Sequence, residues 1–349
     1  MQRNDFLDFL KGSLITLVCI GHANQYVVHQ DRDFFQDPLF KAIYMFHMPL
    51  FMAVAGYLSH RGITEEKGRF FYIIRRASSY LLPIFAWTII EHSSRYFVFS
   101  QPVNFDIIFG YTGLDRLWFL WALIESVVVT VFATLFGKYR PIMLLVSFVA
   151  ILAIPDTSHF YLLKYVFPFF LFGFYLAGSN LKRIVITNIQ WLVLLSAVAS
   201  LLCFFIWDQH TYIYISKMSL TSENIPNIVF RWVAGGVASL FFVSFLYLSN
   251  SFISVMVKKI IILAGRDSIY IYILQTYIFL FLFALVSRVI QPISNIFIGG
   301  SLSIITGCVV TLCSLWIGNI IAQNRHLDRV LFGKLRPRNS TTTQIKQLN

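Results

Sequence analysis

Four titratable side chains lie within long apolar stretches in the first part of the sequence. They are His22, His47, Glu91 and Glu125. Ionisable residues are costly inside a bilayer and by default mark a functional path through a membrane protein. Imidazole exchanges protons near neutral pH, and a nearby carboxylate orients it and stabilises its cation. We therefore expect an intramembrane site in which His22, assisted by Glu91 or Glu125, removes a proton from a hydroxyl group.

The first of these histidines shares a helical face with a lysine. Lys11 and His22 are eleven residues apart, and at about 100° per residue this spacing returns to within roughly 20° of the same direction. Arg75 and Arg76 lie at the start of the third apolar stretch. Because Lys and Arg give charge-assisted hydrogen bonds to phosphate, we expect these three residues to bind a phosphorylated donor. The alternative is that the charges only set the membrane topology.

Further polar and aromatic residues suit contact with an acceptor. Trp118, Trp121 and Glu125 follow each other at i, i+3 and i+7, a spacing that places them on one helical face. Arg95 follows Glu91 at i, i+4, which allows an ion pair within one helix. We expect substrate contacts from His47, Trp118, Trp121 and Arg95. The alternatives are that Trp118 is an interfacial anchor and that Arg95 only neutralises Glu91.

Several common kinds of active site are missing from the sequence. It contains no GxSxG elbow, HExxH motif, Walker lysine loop or GxGxxG fingerprint, so the enzyme classes that depend on them are unsupported. The four cysteines lack the paired spacing of zinc sites or disulfide frameworks. We expect no metal cofactor, and no basic arm with interleaved aromatic residues points to nucleic acid as a partner.

The composition places these residues in a membrane protein. Of 349 residues, 57% are apolar and only 13% are charged, and the mean hydropathy is +0.70. A bilayer core of about 30 Å needs roughly 20 apolar residues per helix. Such runs predict an all-α polytopic membrane protein with about ten transmembrane helices, near residues 10–29, 39–59, 76–99, 117–137, 141–155, 160–180, 189–207, 229–250, 267–287 and 294–322.

The distribution of charge predicts the domain limits and the topology. One integral-membrane domain accounts for residues 1–332, and the polar residues 333–349 are expected to form a disordered cytosolic tail. When Lys and Arg are assigned to alternate sides, twenty of the 28 fall on the side of the N-terminus. The positive-inside rule then predicts that both chain ends face the cytosol. The acidic N-terminal segment predicts a retained first span rather than a cleaved signal peptide.

Five blocks of the sequence resemble, in order and spacing, the membrane acyltransferase 3 family. The first, DFLKGSLITLVCIGH, has a basic residue and a histidine with ten residues between them, and the second, FHMPLFMAVAGYL, holds another histidine. The other three are RRASSYLLP, LWFLWAL and LAGRDSIYIYIL. These matches lie in the first third of the chain and near the ninth run, whereas the middle runs match only in hydropathy.

The resemblance implies an O-acetyltransferase of a bacterial inner membrane, with acetyl-CoA as the acyl donor. The implied acceptor is a sugar hydroxyl of a surface polysaccharide, such as lipopolysaccharide O-antigen or an exopolysaccharide, or of its lipid-linked precursor. The family's motif residues correspond here to Lys11, His22, His47, Arg75 and Arg76. Lys11 replaces the commoner arginine, and Gln275 stands where members often have histidine. The hydrolase-like domain that some members append is not expected in this chain.

Two routes of transfer and several other functions stay open. The sugar alkoxide attacks the thioester directly, or the acetyl group first passes to His22. A glycolipid or small-metabolite transporter or flippase would use the same polar path without making a bond. A membrane-bound O-acyltransferase of another fold and a structural assembly factor are more distant alternatives. Membrane lipid is the expected surrounding, and nothing in the pattern indicates an oligomeric state.

Overall fold

Helix α1 (Asp5–Ala23) opens the fold and continues as a π-helical turn over Asn24–Val28. Its start is fixed by Asn4, whose side-chain oxygen accepts the backbone N–H groups of Phe6 and Leu7. The computed structural model describes residues 4–65, 68–99, 115–157, 160–179, 187–289 and 291–334. Within these ranges the regular secondary structure is helical, without a strand.

Thirteen further α-helices follow in the described residues. They are α2 (Pro38–Tyr44), α3 (His47–Thr64), α4 (Arg69–Phe99), α5 (Trp118–Thr134), α6 (Arg140–Ala153), α7 (Phe160–Ala177), α8 (Ile189–Ile206), α9 (Ile213–Ser216), α10 (Ile225–Ser249), α11 (Val255–Arg266), α12 (Ser268–Val289), α13 (Ile296–Ile321) and α14 (Arg325–Phe332). Each of the ten predicted runs falls on a helix, with α2 and α3 together forming the second.

Seven of the described segments are long and apolar enough to cross a membrane. They are α1 with its π-helical turn, α2 with α3, α7, α8, α10, α12 and α13. Helix α5 is apolar but has 17 residues, and α6 has 14. The chain is therefore a multi-pass membrane protein whose regular secondary structure, in the described residues, is helical, and the predicted number of ten spans is not confirmed.

Two helix pairs pack with their backbones in close approach through glycine. Gly12 of α1 faces the backbone of Ile261 in α11, and Gly265 of α11 faces the backbone of Asp8 in α1. A methyl group at either glycine would overlap the opposite carbonyl oxygen. Gly56 brings α3 equally close to α7. Small residues at such crossings allow helices to gain van der Waals contact within a bilayer.

The short amphipathic helix α14 is docked against α4 and α12. The indole N–H of Trp87 donates to the carbonyl of Leu331 at 2.9 Å, and the hydroxyl of Tyr270 donates to Asp328 at 2.7 Å. These contacts bring the chain up to Lys334 against the membrane helices. Gly333 and Lys334, the first residues of the predicted tail, are thus in contact with the helices, whereas residues 335–349 lie outside the described residues, so the disordered tail stays a prediction.

Candidate functional site

A cavity of about 630 Å³ runs between α1, α3, α4, α5 and α12. Its wall combines basic side chains, two imidazoles and several aromatic rings. It brings together six of the ten predicted site residues: Lys11, His22, His47, Arg75, Arg76 and Trp118. A cavity of this size, with a few convergent polar groups in a mainly apolar wall, is typical of a small-molecule site.

Helix α1 lines the cavity along one straight stripe. Lys11, Ile15, Val18 and His22 follow each other at i, i+4, i+7 and i+11, and all four lie on the wall. The eleven-residue spacing therefore places the ammonium and the imidazole on one face, about 16 Å apart along the helix axis. Between them the wall is apolar, so the stripe connects a charged end with a proton-exchanging end.

Five basic side chains line the charged end of the cavity, which we call the basic mouth. They are Lys11, Arg75, Arg76, Arg266 and Lys334. Lys11 pairs with Asp8 at 2.9 Å, and Arg266 approaches Asp8 at 3.5 Å and Asp5 at 3.0 Å. Lys334 pairs with Asp267 at 2.8 Å. Three described carboxylates contact three of these five basic residues, so positive charges outnumber negative charges at the basic mouth.

Arg76 is fixed by two phenols of its own helix. Its Nε donates to the hydroxyl of Tyr72 at 3.2 Å, and its Nη1 donates to the hydroxyl of Tyr80 at 3.3 Å. Both tyrosines also line the cavity. Because these partners are neutral, the guanidinium keeps its full charge for a ligand, in a direction set by the two hydrogen bonds.

The opposite end of the cavity holds the two histidines with a tyrosine ring between them. The ring of Tyr44 lies 6.4 Å from that of His22 and 4.6 Å from that of His47, between centroids. Tyr26 stacks on the other side of His22 at 5.8 Å. The Nδ1 atom of His22 is buried and has no hydrogen-bond partner among the described residues, although the side chain of Gln25 lies nearby.

The proton position on His47 is set by the backbone. Its Nδ1 lies 2.9 Å from the carbonyl oxygen of Ile43, one turn earlier in the chain. A carbonyl only accepts hydrogen bonds, so Nδ1 carries the proton in the neutral ring and Nε2 has the free lone pair. His47 is therefore held as a proton acceptor in the wall of the cavity.

The short helix α2 positions Tyr44 and is held by Asp37 at its N-terminus. The carboxylate accepts the backbone N–H groups of Leu39 and Phe40 at 2.8 and 3.1 Å, and His29 lies 3.1 Å away. Burial alone would raise the pKa of Asp37, but these hydrogen bonds outweigh it and hold the pKa below its ordinary value. The cap is thus charged at neutral pH and fixes α2 just before the histidine.

Glu91 is not on the cavity wall. Its carboxylate pairs with Arg116 at 2.7 Å. The predicted pairing of Glu91 with Arg95 stays a prediction, because the Arg95 side chain lies outside the described residues. The cavity-lining part of α4 ends at Tyr80, which is about 16 Å before Glu91 along the helix. Glu91 is therefore not a lining residue of the cavity, and its predicted role of orienting His22 stays a prediction.

Glu125 and Trp121 also lie off the cavity wall. Helix α5 faces the cavity through Leu120, Leu123 and Val127, and at 100° per residue Glu125 points about 170° away from the middle of that face. Trp118 lines the cavity from the first turn of the helix. Trp118, Trp121 and Glu125 thus share a helical face, as their spacing predicts. Beyond its first turn, however, α5 turns a different face to the cavity.

Several polar or charged residues on this wall were missed by sequence reasoning. Four of them are Tyr44, Tyr214, Arg266 and Lys334. Arg266 lies in the block LAGRDSIYIYIL, and Tyr44 precedes His47 by three residues. The sequence position of each therefore indicates that it lies near the site. Tyr214 lies in the four-residue helix α9 and Lys334 in the polar C-terminal segment, and neither is long enough to show a periodic pattern. Within the described part of the chain, no cluster of three His, Cys, Asp or Glu side chains could hold a metal ion.

Comparison with known proteins adds a family and two relatives. Residues 4–319 match the sequence model of a family described as an acyltransferase domain. Nodulation protein NolL of Mesorhizobium japonicum is 35% identical over 245 residues, which are 68% of this chain and 65% of that protein. The protein of the same name from Sinorhizobium fredii is 32% identical over 246 residues, which are 68% and 67% of the two chains. No solved structure matches the chain.

Proposed function

Because the chain belongs to the acyltransferase 3 family, whose domain spans residues 4–319, we propose that it transfers an acetyl group from acetyl-CoA to a sugar hydroxyl. The acceptor is a surface polysaccharide, of the O-antigen or exopolysaccharide type, or its lipid-linked precursor. The observation that carries this proposal is the single cavity that joins the basic mouth to His22 and His47. Such a path suits a ligand with phosphates at one end and a reactive carbonyl at the other.

The donor binds with its phosphates at the basic mouth. Lys11, Arg75 and Arg76 supply charge-assisted hydrogen bonds, and Arg266 and Lys334 add two more cations. The pantetheine arm of acetyl-CoA runs along Ile15 and Val18, whose apolar side chains line this part of the cavity and offer no hydrogen-bonding groups. This arrangement brings the thioester to the level of His22.

The chemistry takes place between the two imidazoles. One of them accepts the proton of the sugar hydroxyl, the alkoxide oxygen bonds to the thioester carbon, and the carbon–sulfur bond breaks. The thiolate of CoA leaves and takes up a proton. We assign the base to His22, as expected from the sequence, and place His47 on the acceptor side, where its free Nε2 accepts a hydrogen bond from a further hydroxyl of the sugar. In the other route His22 attacks first and carries the acetyl group.

The proposed topology places donor and acceptor on opposite sides of a bacterial inner membrane. With about ten spans and both chain ends in the cytosol, the basic mouth opens to the cytosolic pool of acetyl-CoA. The excess of Lys and Arg on that side supports this orientation. The acceptor glycan then reaches the histidines from the other side. The membrane domain extends through Lys334, and the rest of the polar tail is cytosolic.

The test is the acetylation state of the surface polysaccharide. Cells with the gene should show an O-acetyl signal by NMR that cells without it lack, and a His22→Ala variant should behave like the deletion. Insertion of that variant at the normal level, measured by immunoblot of membranes, is the control. An unchanged O-acetyl signal with His22→Ala would remove the central role of this histidine. A glycan that is transported but never esterified would favour the transporter alternative.

A further inference from the structure

A second, much smaller cavity adjoins the main one beside His47. Its volume is about 20 Å³, which is room for one water-sized group. It shares Tyr44, His47, Trp118 and Tyr214 with the wall of the main cavity. We call it the side slot. The slot therefore accommodates a small substituent of a larger ligand whose remaining atoms lie against His47 in the main cavity.

Three buried polar atoms of the side slot lack a protein partner. Tyr165, Trp207 and Tyr212 line the slot and are each at most 4% exposed. The two hydroxyls and the indole N–H have no hydrogen-bond partner among the described residues. The Trp207 N–H lies near the Tyr212 hydroxyl but not in hydrogen-bond geometry. Buried polar groups in folded proteins are almost always satisfied, so these three need a guest that forms hydrogen bonds.

The loop that carries Tyr212 is fixed in place before any guest arrives. Arg231, 1% exposed, donates from Nε to the carbonyl of Thr211 at 2.7 Å and from Nη1 to the carbonyl of Lys217 at 2.8 Å. Its Nη2 donates to the hydroxyl of Ser216. Arg231 also lines the slot, but its donors are committed to the loop. The slot is therefore preformed. The polar atoms that remain available to a guest belong to the neutral side chains of Tyr165, Trp207 and Tyr212.

We propose that the side slot binds a hydroxyl group of the acceptor sugar, adjacent to the hydroxyl that is acetylated, and thereby selects the position of acetylation. The inference rests on the proposed function. An indole N–H donates, and a phenol donates or accepts, so together they match the lone pairs and the proton of an alcohol. One hydroxyl fills the slot while the sugar ring remains in the main cavity. The neighbouring hydroxyl then faces His47.

Each variant removes one polar atom from the slot and keeps an aromatic side chain at the position. Tyr212→Phe and Trp207→Phe are compared with Tyr247→Phe, which loses an exposed phenol on α10 away from the slot. The purified full-length protein receives acetyl-CoA and, as probes, the methyl glycosides of glucose, galactose, mannose and N-acetylglucosamine. Initial rates and the NMR position of the ester are measured, and the same variants are expressed in cells to locate the ester on the surface polysaccharide.

The slot variants should lose regioselectivity. The wild-type protein and Tyr247→Phe should place the acetyl group on one hydroxyl of the preferred glycoside. Tyr212→Phe and Trp207→Phe should raise the KM for the glycoside about tenfold and spread the ester over two or more positions. The KM for acetyl-CoA should not change. A structural role alone would lower the amount of active protein without moving the ester.

Two results would overturn the slot proposal, and only the second would also overturn the proposed transferase function. If the slot variants keep the single ester position and the wild-type KM for the glycoside, the slot does not bind the acceptor, while the transferase function stands. If the wild-type protein makes no ester on any glycoside or on the surface polysaccharide, the proposed function fails, and the slot proposal fails with it. Matching thermal unfolding curves for all variants show that folding is not the cause.

Discussion

The two histidines of the cavity differ in how their protons are fixed. His47 is locked as the Nδ1–H tautomer by the carbonyl of Ile43, which leaves Nε2 as a base. The Nδ1 atom of His22 has no such backbone partner in the described structure, and its ring packs against Tyr26, Tyr44 and Phe279. General-base catalysis needs a defined lone pair within hydrogen-bond reach of the hydroxyl. By this criterion His47 is a second candidate for the base, beside its proposed contact with the acceptor.

A substitution that keeps the backbone hydrogen bond separates these roles. In His47→Asn the amide nitrogen stands near the position of Nδ1 and still donates to the carbonyl of Ile43, but no base remains. If Nε2 accepts a proton or orients the acceptor hydroxyl, kcat should fall by about 10²–10⁴ with a normal KM for acetyl-CoA. Steady-state kinetics on membranes measure both. A variant that keeps wild-type kcat would show that His47 only packs against Tyr44.

At the scale of single residues, the sequence predicts positions along one helix better than partners across helices. Lys11 and His22 meet the cavity together because one helix fixes their relative direction whatever surrounds it. Glu91 pairs with Arg116, a residue from another segment that no local spacing points to. The face that Glu125 occupies was predicted from spacing, but which face α5 turns inward depends on how the other helices pack. Hydrophobic pattern does not decide that on a helix apolar all round.

The helices that form the basic mouth depend on close backbone packing. Asp8 pairs with Lys11 within α1, and it also reaches Arg266 because α1 and α11 cross at Gly12 and Gly265. The sequence does not mark this crossing, since α11 is too short and too charged to be found as an apolar run. Its Lys258, Lys259 and Arg266 give it the pattern of a basic connection between two spans. The same holds for α14, whose amphipathic pattern is shorter than any membrane span.

Adding a methyl group at this crossing tests the role of the helix pair. In Gly12→Ala the new side chain would overlap the carbonyl oxygen of Ile261, so α1 and α11 must separate. We expect a loss of stability of about 1–3 kcal/mol and a higher KM for acetyl-CoA, because Lys11 and Arg266 move apart. Thermal unfolding in detergent and donor kinetics measure the two effects.

Gly300→Ala on α13 is the matched control for this change. No atom lies within 4 Å of a methyl group built at Gly300, so the same substitution meets open space. It should keep the wild-type unfolding temperature and donor kinetics. Equal behaviour of the two variants would mean that α1 and α11 do not need their close approach.

At the scale of the whole molecule, residues from both ends of the described chain build the cavity. Helix α1 supplies Lys11 and His22, while Gly333 and Lys334 complete the basic mouth after more than ten helices have passed. Gly333 has a positive φ of 67° and lies against the backbone of Ser79 on α4, a fit that a side chain at this position would block. Local sequence patterns do not reveal such a closure. Composition alone therefore assigned the last described residues to a disordered tail.

A substitution at Lys334 tests whether the C-terminal segment that completes the basic mouth contributes to the binding of acetyl-CoA. In Lys334→Gln the amide still reaches Asp267 but the positive charge is lost, so the KM for acetyl-CoA should rise about tenfold at low salt with kcat unchanged. The difference should shrink as ionic strength rises, because salt screens exposed charges. Lys259→Gln on α11, an exposed lysine that does not line the cavity, should have no effect. If both variants keep the wild-type KM, Lys334 only fastens α14 to α12, and the donor phosphates are bound without the C-terminal segment.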